Sequence, residues 1–150
     1  MNDHGLGVAM IENLRVINQI YTIVMNCENI SLTLMKNVSW LIFDSFIKIK
    51  KSNEFFPLKF SELICEILLF FSTSCDRDLQ RDSIFALDQL LLKTKGNVLR
   101  EKIINDDLIS RIVSTKFDQA RELLTPSIKL IGQLLAGENH IVDVNFMLKL

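Results

Sequence analysis

The sequence predicts an all-α fold in which one helical unit recurs along the chain, and three observations lead to this prediction. Apolar residues make up 49% of the 150 residues, with only five Gly and two Pro, a composition that argues against disorder and against a loop-rich β protein. Apolar side chains recur at steps of three and four residues, which is the period of an amphipathic helix. Two sets of similar segments also follow one another at nearly constant intervals, which is typical of a helical repeat protein.

The first set of similar segments has an apolar pair, two further residues and then an Ile. Its middle member lies in the most apolar stretch of the chain, residues 63–71, which is interrupted by Cys65 and Glu66. This stretch is too short for a membrane helix, which needs about 20 residues, so we expect a buried helix. The segments are residues 16–20, 63–67 and 108–112, which begin 47 and then 45 residues apart.

The second set of similar segments alternates with the first and is also helical in its pattern. In its middle member, Ile84, Leu87, Leu90 and Leu91 are spaced by three or four residues, as on one face of a helix. We therefore expect each of these segments to form the second helix of a unit. The segments are residues 37–46, 82–91 and 126–135, which begin 45 and then 44 residues apart.

Helix-breaking residues collect between the periodic segments, where Ser, Asn, Gly, Lys and Pro are frequent. Pro126 is expected to start a helix, because the first turn needs no N–H donor there. Gly96 and Gly137 are expected to cap helix ends. The predicted unit is thus a helix, a turn, a longer helix and a loop. The predicted breaks are residues 50–57, 72–77, 94–97 and 136–139.

Units of this length that consist of two or three helices are typical of armadillo and HEAT repeats. In these repeats no single unit can bury its apolar face alone. We predict a single domain, a right-handed armadillo superhelix (an α-solenoid) of about three repeats. Such a stack exposes apolar ends here, because neither end helix has an obviously polar face. The predicted units are a partial repeat at 8–50, repeats at 58–95 and 98–137, and the start of another at 138–150.

Charge and cysteine content exclude several classes of protein. Seventeen basic and eighteen acidic residues leave a formal net charge of −1, so we expect no binding to nucleic acid or to a membrane surface. Cys27, Cys65 and Cys75 are odd in number and lack CxxC spacing, which suits buried, reduced thiols in the cytosol or nucleus. The first ten residues lack the basic and apolar segments of a signal peptide, so secretion is not expected.

The sequence offers no candidate catalytic residue, metal ligand or cofactor site. His4 and His140 are the only histidines, and neither has a Cys or carboxylate at the spacing of a metal site. The segment Gly5-Leu6-Gly7 adjoins neither a predicted strand nor a phosphate-loop pattern. We therefore expect a binding protein rather than an enzyme.

Three stretches that contain the second set of segments resemble, in order, inner helices of importin alpha. Residues 36–44 (KNVSWLIFD) are similar to its Asn-x-x-Trp-x-x-x-Asn pattern, and the lysine-rich residues 48–51 match the basic loop that follows it. Residues 79–87 (LQRDSIFAL) resemble the next inner helix, in which Asp stands three residues before a Trp. Residues 124–139 (LTPSIKLIGQLLAGEN) are similar to the family's Thr-Pro-Ala-Leu-Arg-x-x-Gly-Asn stretch. The match runs from near Leu14 to the end of the chain and covers part of the family's repeats.

The resemblance implies a concave groove for nuclear localisation signals, lined by Trp and Asn side chains of successive helices. Indole rings accept the aliphatic stems of Lys and Arg and offer cation–π contact worth roughly 0.5–2 kcal/mol. Asn amides donate to and accept from a peptide backbone. Carried over to this chain, Trp40 is the retained slot wall, Asn37 its polar neighbour and Asp82 the acidic selector, while Phe85 stands in for a Trp.

Four positions depart from the family's pattern. Asp44 and Gln133 replace Asn, Lys129 replaces Arg, and Gln89 stands where the family's second helix has Tyr. Asp44 lacks the donor N–H groups of Asn, and Gln133 holds its amide farther from the backbone. These changes weaken the expected clamp on the peptide backbone.

Ordinary structural roles also fit some of these residues. Trp40 and Phe85 fit core packing at interior helix positions. Asp82 fits an acidic residue in the first turn of a helix, which the helix macrodipole favours. Lys129 is expected to be either a solvated cation or a cation that faces the groove.

The expected partners are the basic nuclear localisation signals of cargo proteins, bound during import into the nucleus by a protein of the cytoplasm and nucleus. No amino-terminal basic segment of the kind that engages importin beta is present, which argues against importin beta as a partner. Two alternatives stay open. One is a degenerate armadillo scaffold that has lost cargo binding, and the other is an assembly subunit that self-associates through exposed helical ends.

Overall fold

The computed structural model describes residues 3–49 and 56–136, with side chains over residues 14–44 and 56–136. Over these ranges the chain is all-helical and contains no strand, as predicted. A 3-10 turn at Arg121–Leu123 leads into the last helix. The helices are α1 (Asp3–Asn26), α2 (Leu32–Ile49), α3 (Leu58–Phe71), α4 (Arg77–Leu92), α5 (Val98–Asn105), α6 (Leu108–Val113) and α7 (Leu124–Ala136).

Two helices begin after a residue whose side chain accepts a hydrogen bond from the first turn. Ser31 precedes α2, and its Oγ accepts from the backbone N–H of Leu34 at 3.1 Å. Asp76 precedes α4, and its Oδ1 accepts from the backbone N–H of Leu79 at 2.9 Å. That second bond is the main reason why the pKa of Asp76 is lowered. Both side chains satisfy N–H groups that a helix leaves unpaired at its start.

All six of the similar segments lie in helices, as predicted. The first set falls in α1, α3 and α6, and the second set falls in α2, α4 and α7. The helix lengths differ from the predicted unit in the first pair, since α1 has 24 residues and α2 has 18. The third unit also differs, because a break at Asp106 divides its first helix into α5 and α6. Asp106 is extended, and its Oδ1 accepts from the N–H of Leu108 at 2.9 Å, a local bond that competes with the helix.

Two of the predicted breaks are present, between α3 and α4 and between α4 and α5. Two further breaks, at residues 27–31 and 114–120, fall where the predicted unit has a turn between its two helices, although their positions were not predicted. Residues 50–55 and 137–150 lie outside the described part of the chain, together with the breaks and the further repeat predicted there.

The predicted roles of Gly and Pro at helix ends need correction. Gly96 has a φ of +89°, a conformation that suits glycine, but it lies in the loop beyond Lys93, which caps α4. Pro126 does not start a helix, because α7 begins at Leu124. Pro126 is still in the first turn, where its missing N–H is not needed. Gly137 lies outside the described residues.

The helices pack in two rows. Helices α1, α3 and α5 follow one another in the first row, α2, α4 and α7 follow one another in the second, and the contact of α3 with α4 joins the rows. Fully buried apolar side chains of these helices form the core, and each contributes about 1.5–3 kcal/mol relative to an exposed position. They include Ile64, Ile67, Leu68, Phe71, Leu79, Leu87, Leu90, Leu99, Ile103 and Leu130.

The apolar stretch 63–71 forms most of α3 and is largely buried, as predicted. Cys65 lies within it, and burial raises the pKa of its thiol to about 12. The expectation of burial is wrong for Cys27 and Cys75, which are exposed because they lie in the turns after α1 and α3. Within the described ranges, none of the helices is long and apolar enough to cross a membrane.

Candidate functional site

The residues assigned by sequence to a peptide-binding surface all lie on the second row of helices. On each helix they are spaced by three or four residues, or by the sum of the two, so they share one side of that helix. None of them is fully buried. We call this surface the candidate face. It comprises Asn37, Trp40 and Asp44 of α2, Asp82, Phe85 and Gln89 of α4, and Lys129 and Gln133 of α7.

Trp40 is the most exposed large apolar side chain of the described residues, with 73% of its surface accessible. It is therefore not a core residue, and the core-packing alternative for this position is wrong. Asn37, one turn earlier, is exposed, and Asp44, one turn later, is half-buried. Leu41, beside Trp40, is 47% exposed. Contiguous exposed apolar side chains mark an interaction site when the patch that they form is large.

Phe85 is the point at which the three helices of the second row meet. Its ring stacks on that of Phe43 of α2, with the ring centroids 6.1 Å apart. On α7, the Nζ of Lys129 lies 5.9 Å from the centroid of the Phe85 ring, which is within the range of a cation–π contact. Phe85 still leaves 38% of its surface exposed. Lys129 is thus exposed to solvent and has its Nζ over the ring of Phe85.

Asp82 is less available to a ligand than its predicted role requires. Its Oδ1 accepts a charged hydrogen bond from the Nε of Arg81 at 3.1 Å, and this bond is the main reason why the pKa of Arg81 is raised. Asp82 also lies beyond the first turn of α4, where Asp78 is the acidic residue. The macrodipole alternative for Asp82 is therefore wrong, and its carboxylate already has a cationic neighbour.

Asp88 is a component of this region that the sequence reasoning missed. It lies three residues after Phe85 on α4, and only 4% of its surface is exposed. Its Oδ2 accepts from the Nε2 of Gln89 at 3.3 Å, while its Oδ1 has no hydrogen-bond partner. Burial raises the pKa of Asp88, while the hydrogen bond from Gln89 and then the charge of Lys129 oppose that effect. The sequence feature that could have identified Asp88 is its position as an acidic residue among the apolar residues of α4.

Some side-chain amides of the candidate face already form hydrogen bonds within the protein. Gln89 donates to Asp88, as described above, so one of its N–H groups points to a buried carboxylate rather than outward. Gln133 of α7 is half-buried one turn after Lys129. The face therefore offers a peptide backbone fewer unengaged amide groups than the importin alpha pattern implies.

A second polar cluster, also not predicted, links the three helices of the first row. The Nζ of Lys102 on α5 lies 2.8 Å from the Oε1 of Glu66 on α3, and the hydroxyl of Tyr21 on α1 donates to the Oε2 of Glu66. The bond from Lys102 is the main cause of the lowered pKa of Glu66. The bond to Glu66 is the main cause of the raised pKa values of Tyr21 and Lys102. This cluster ties the row together.

The described residues contain no cluster of three or more His, Cys, Asp or Glu side chains arranged to hold a metal ion. The sequence matches no protein-family model, no curated protein and no solved structure. The function is therefore inferred from the side chains of the candidate face.

Proposed function

We propose that the candidate face binds extended peptides that carry Lys or Arg, and that the protein takes part in the import of signal-bearing proteins into the nucleus, acting in cytoplasm and nucleus. We also infer that the two rows of helices are a short armadillo stack of about three repeats. The observation that carries the proposal is the 73% exposure of Trp40, which lies one helical turn before Phe43, the residue whose ring stacks on Phe85.

The exposed rings suit the chemistry of a basic peptide. Trp40 and Phe85 occupy matching positions of α2 and α4, 45 residues apart in the sequence. The aliphatic stem of a Lys or Arg packs against such a ring, while its charged end stays at the rim. A cation over the face of Trp adds roughly 0.5–2 kcal/mol.

The contact between Lys129 and Phe85 supports the same chemistry from within the chain. The Nζ of Lys129 lies 5.9 Å from the centroid of the Phe85 ring. One aromatic ring of the candidate face therefore already has a cation over it. Asp44 and Asp88 add negative charge on α2 and α4, which complements a basic ligand.

The proposal is tested by titrating a fluorescently labelled lysine-rich localisation peptide and measuring its anisotropy. We expect saturable binding that weakens about 2- to 30-fold in Trp40→Ala, the range of a lost cation–π contact of roughly 0.5–2 kcal/mol. Val113→Ala is the matched control, because Val113 is also exposed (51%) but lies on α6, outside the candidate face. A series of salt concentrations separates ring contacts from charge attraction, since only the latter is strongly screened.

Two results would contradict the proposal. One is the absence of saturable binding at the highest protein concentration that stays monomeric. The other is binding that Trp40→Ala and Val113→Ala weaken equally, because the ring would then have no specific part in it.

A second function, an assembly subunit or scaffold without cargo binding, is favoured by a different observation. Helices α1 and α2 expose many apolar side chains, and an apolar cleft lies between α1, α2 and α3. Exposed apolar surface of this kind usually marks an interface. The exposed residues are Val16, Ile23, Met25, Leu32, Leu34 and Leu41.

Light scattering coupled to size-exclusion chromatography distinguishes this second function. An assembly subunit forms oligomers whose mass rises with concentration, and Ile23→Ser, at a 58% exposed position of α1, should return it to the monomer. A monomer at all concentrations, together with Trp40-dependent peptide binding, would leave only the first function.

A further inference from the structure

Two side chains of α4 lie one helical turn apart, the exposed Phe85 of the candidate face and the buried Asp88, and Phe85 is already in contact with a cation. Phe85 presents its ring to the Nζ of Lys129, 5.9 Å from the centroid. Asp88 follows three residues later, so it lies on the same side of the helix. A cation over that ring is therefore on the same side of α4 as a carboxylate.

The burial and the incomplete hydrogen bonding of Asp88 indicate that its carboxylate has a role other than packing in the core. It is almost fully buried, its Oδ1 has no partner and its Oδ2 has only the Gln89 amide at 3.3 Å. A buried carboxylate is costly unless it is paired with a cation or fully hydrogen-bonded. The hydrogen bond from Gln89 and, to a smaller extent, the charge of Lys129 lower the pKa of Asp88 against the effect of burial. Lys129 is the cation whose charge acts on this carboxylate.

We propose that Phe85 and Asp88 form a cation-binding slot and that Lys129 fills this slot in the free protein, as a tethered competitor of a Lys or Arg side chain in the bound peptide. This inference rests on the proposed peptide-binding function, and it names the residues that set specificity at one position of the peptide. Asp88, rather than Asp82, is the acidic selector of this slot.

The tether determines the expected size of the effect. Lys129 is exposed, and its flexible side chain can leave the ring when a peptide cation takes its place. A side chain held this close acts as an intramolecular ligand with an effective concentration of millimolar order. The apparent affinity for the peptide is reduced by the fraction of molecules in which the slot is filled. Removing the tethered charge should therefore tighten peptide binding, by roughly two- to thirtyfold.

The experiment compares three variants in the anisotropy titration with the labelled lysine-rich peptide. Lys129→Met removes the charge but keeps an apolar side chain of similar length. Lys116→Met is the matched control, because it makes the same change in net charge at an exposed position between α6 and α7. We expect Lys129→Met to bind more tightly than Lys116→Met, and Lys129→Met combined with Asp88→Asn to lose that gain.

A second probe tests the slot without the rest of the peptide. The lysine derivative Nα-acetyl-lysine methylamide is titrated into each variant and followed by NMR chemical shifts. We expect saturable shifts of the Phe85 ring in Lys129→Met, and much smaller shifts in the wild type and in the variant that also carries Asp88→Asn. Circular dichroism confirms that each variant is folded.

The outcomes separate this inference from the proposed function. If the peptide binds through Trp40 but Lys129→Met behaves like Lys116→Met, or binds more weakly, the tethered competitor is overturned while the proposed function stands. If no variant binds the peptide, the proposed function fails, and the lysine derivative decides the inference. Asp88-dependent shifts in Lys129→Met then support the slot, and their absence overturns it.

Discussion

Replacing Asp88 with Asn should make the protein more stable near neutral pH. Asp88 is only 4% exposed, its Oδ1 has no hydrogen-bond partner, and its Oδ2 accepts one bond of 3.3 Å. Leaving a buried polar group unsatisfied costs about 1–3 kcal/mol, and more for a charged group. Asn has nearly the same shape without the charge, but it loses the attraction of Lys129. We therefore expect Asp88→Asn to raise the free energy of unfolding by about 1 kcal/mol.

The pH dependence of this difference follows from the raised pKa of Asp88. A carboxyl whose folded pKa exceeds its unfolded value, here 3.8, favours the folded state most when it is protonated. That contribution is fully present below the unfolded pKa and is lost as pH rises through the folded pKa. The advantage of Asp88→Asn should therefore be largest near neutral pH and should disappear on acidification. Comparing variant and wild type at each pH cancels the titration of all other groups.

Urea denaturation followed by circular dichroism measures this free energy. Fluorescence of Trp40 is a poor monitor of unfolding, because the indole is 73% exposed in the folded protein. Asp118→Asn, at an exposed position before the 3-10 turn, is the control and should change stability by less than about 0.5 kcal/mol. A variant Asp88→Asn that is less stable than the wild type near neutral pH would refute the reasoning, because the carboxylate would then be well compensated.

Two further predictions concern the first row of helices. Glu66→Gln should destabilise the protein near neutral pH because it removes the partner of Lys102, and a double-mutant cycle with Lys102→Met should give a coupling of up to about 1 kcal/mol for this partly exposed pair. The stability that Glu66 supplies should persist above its ordinary pKa of 4.5 and decline as pH falls through its lowered folded value, so a coupling unchanged by acid would contradict the assignment. Cys65 should react with Ellman's reagent only after unfolding, because its thiol is buried and its pKa is raised to about 12. The two exposed cysteines should react in the folded protein, and a third rapid thiol would show that α3 opens readily.

The helices could be predicted from the sequence because the signal that defines them is local. Apolar residues at steps of three and four place one side of each segment in the core, and Leu87 and Leu90 are fully buried on that account. The break at Asp106 was not predicted because it depends on one side-chain bond to the N–H of Leu108. Periodicity does not detect a bond of this kind.

The candidate face could be predicted only in part, because a pattern on one helix does not show what lies opposite it. The same aromatic positions fit either a core or a groove, and only the packing of neighbouring helices shows that Trp40 is exposed. The cation whose charge acts on Asp88 is Lys129, which is 41 positions away in the sequence. The pairing of Asp82 with Arg81 likewise depends on side-chain conformations.

The two-row packing also determines how the protein opens. Within each row a helix contacts the next helix of that row, α1 with α3, α3 with α5, α2 with α4 and α4 with α7. Unfolding can begin at either end of the rows without disturbing the centre, as in other chains held by nearest-neighbour contacts. Backbone amides of α3 and α4 should consequently exchange their hydrogens last, while the helices at the ends exchange first.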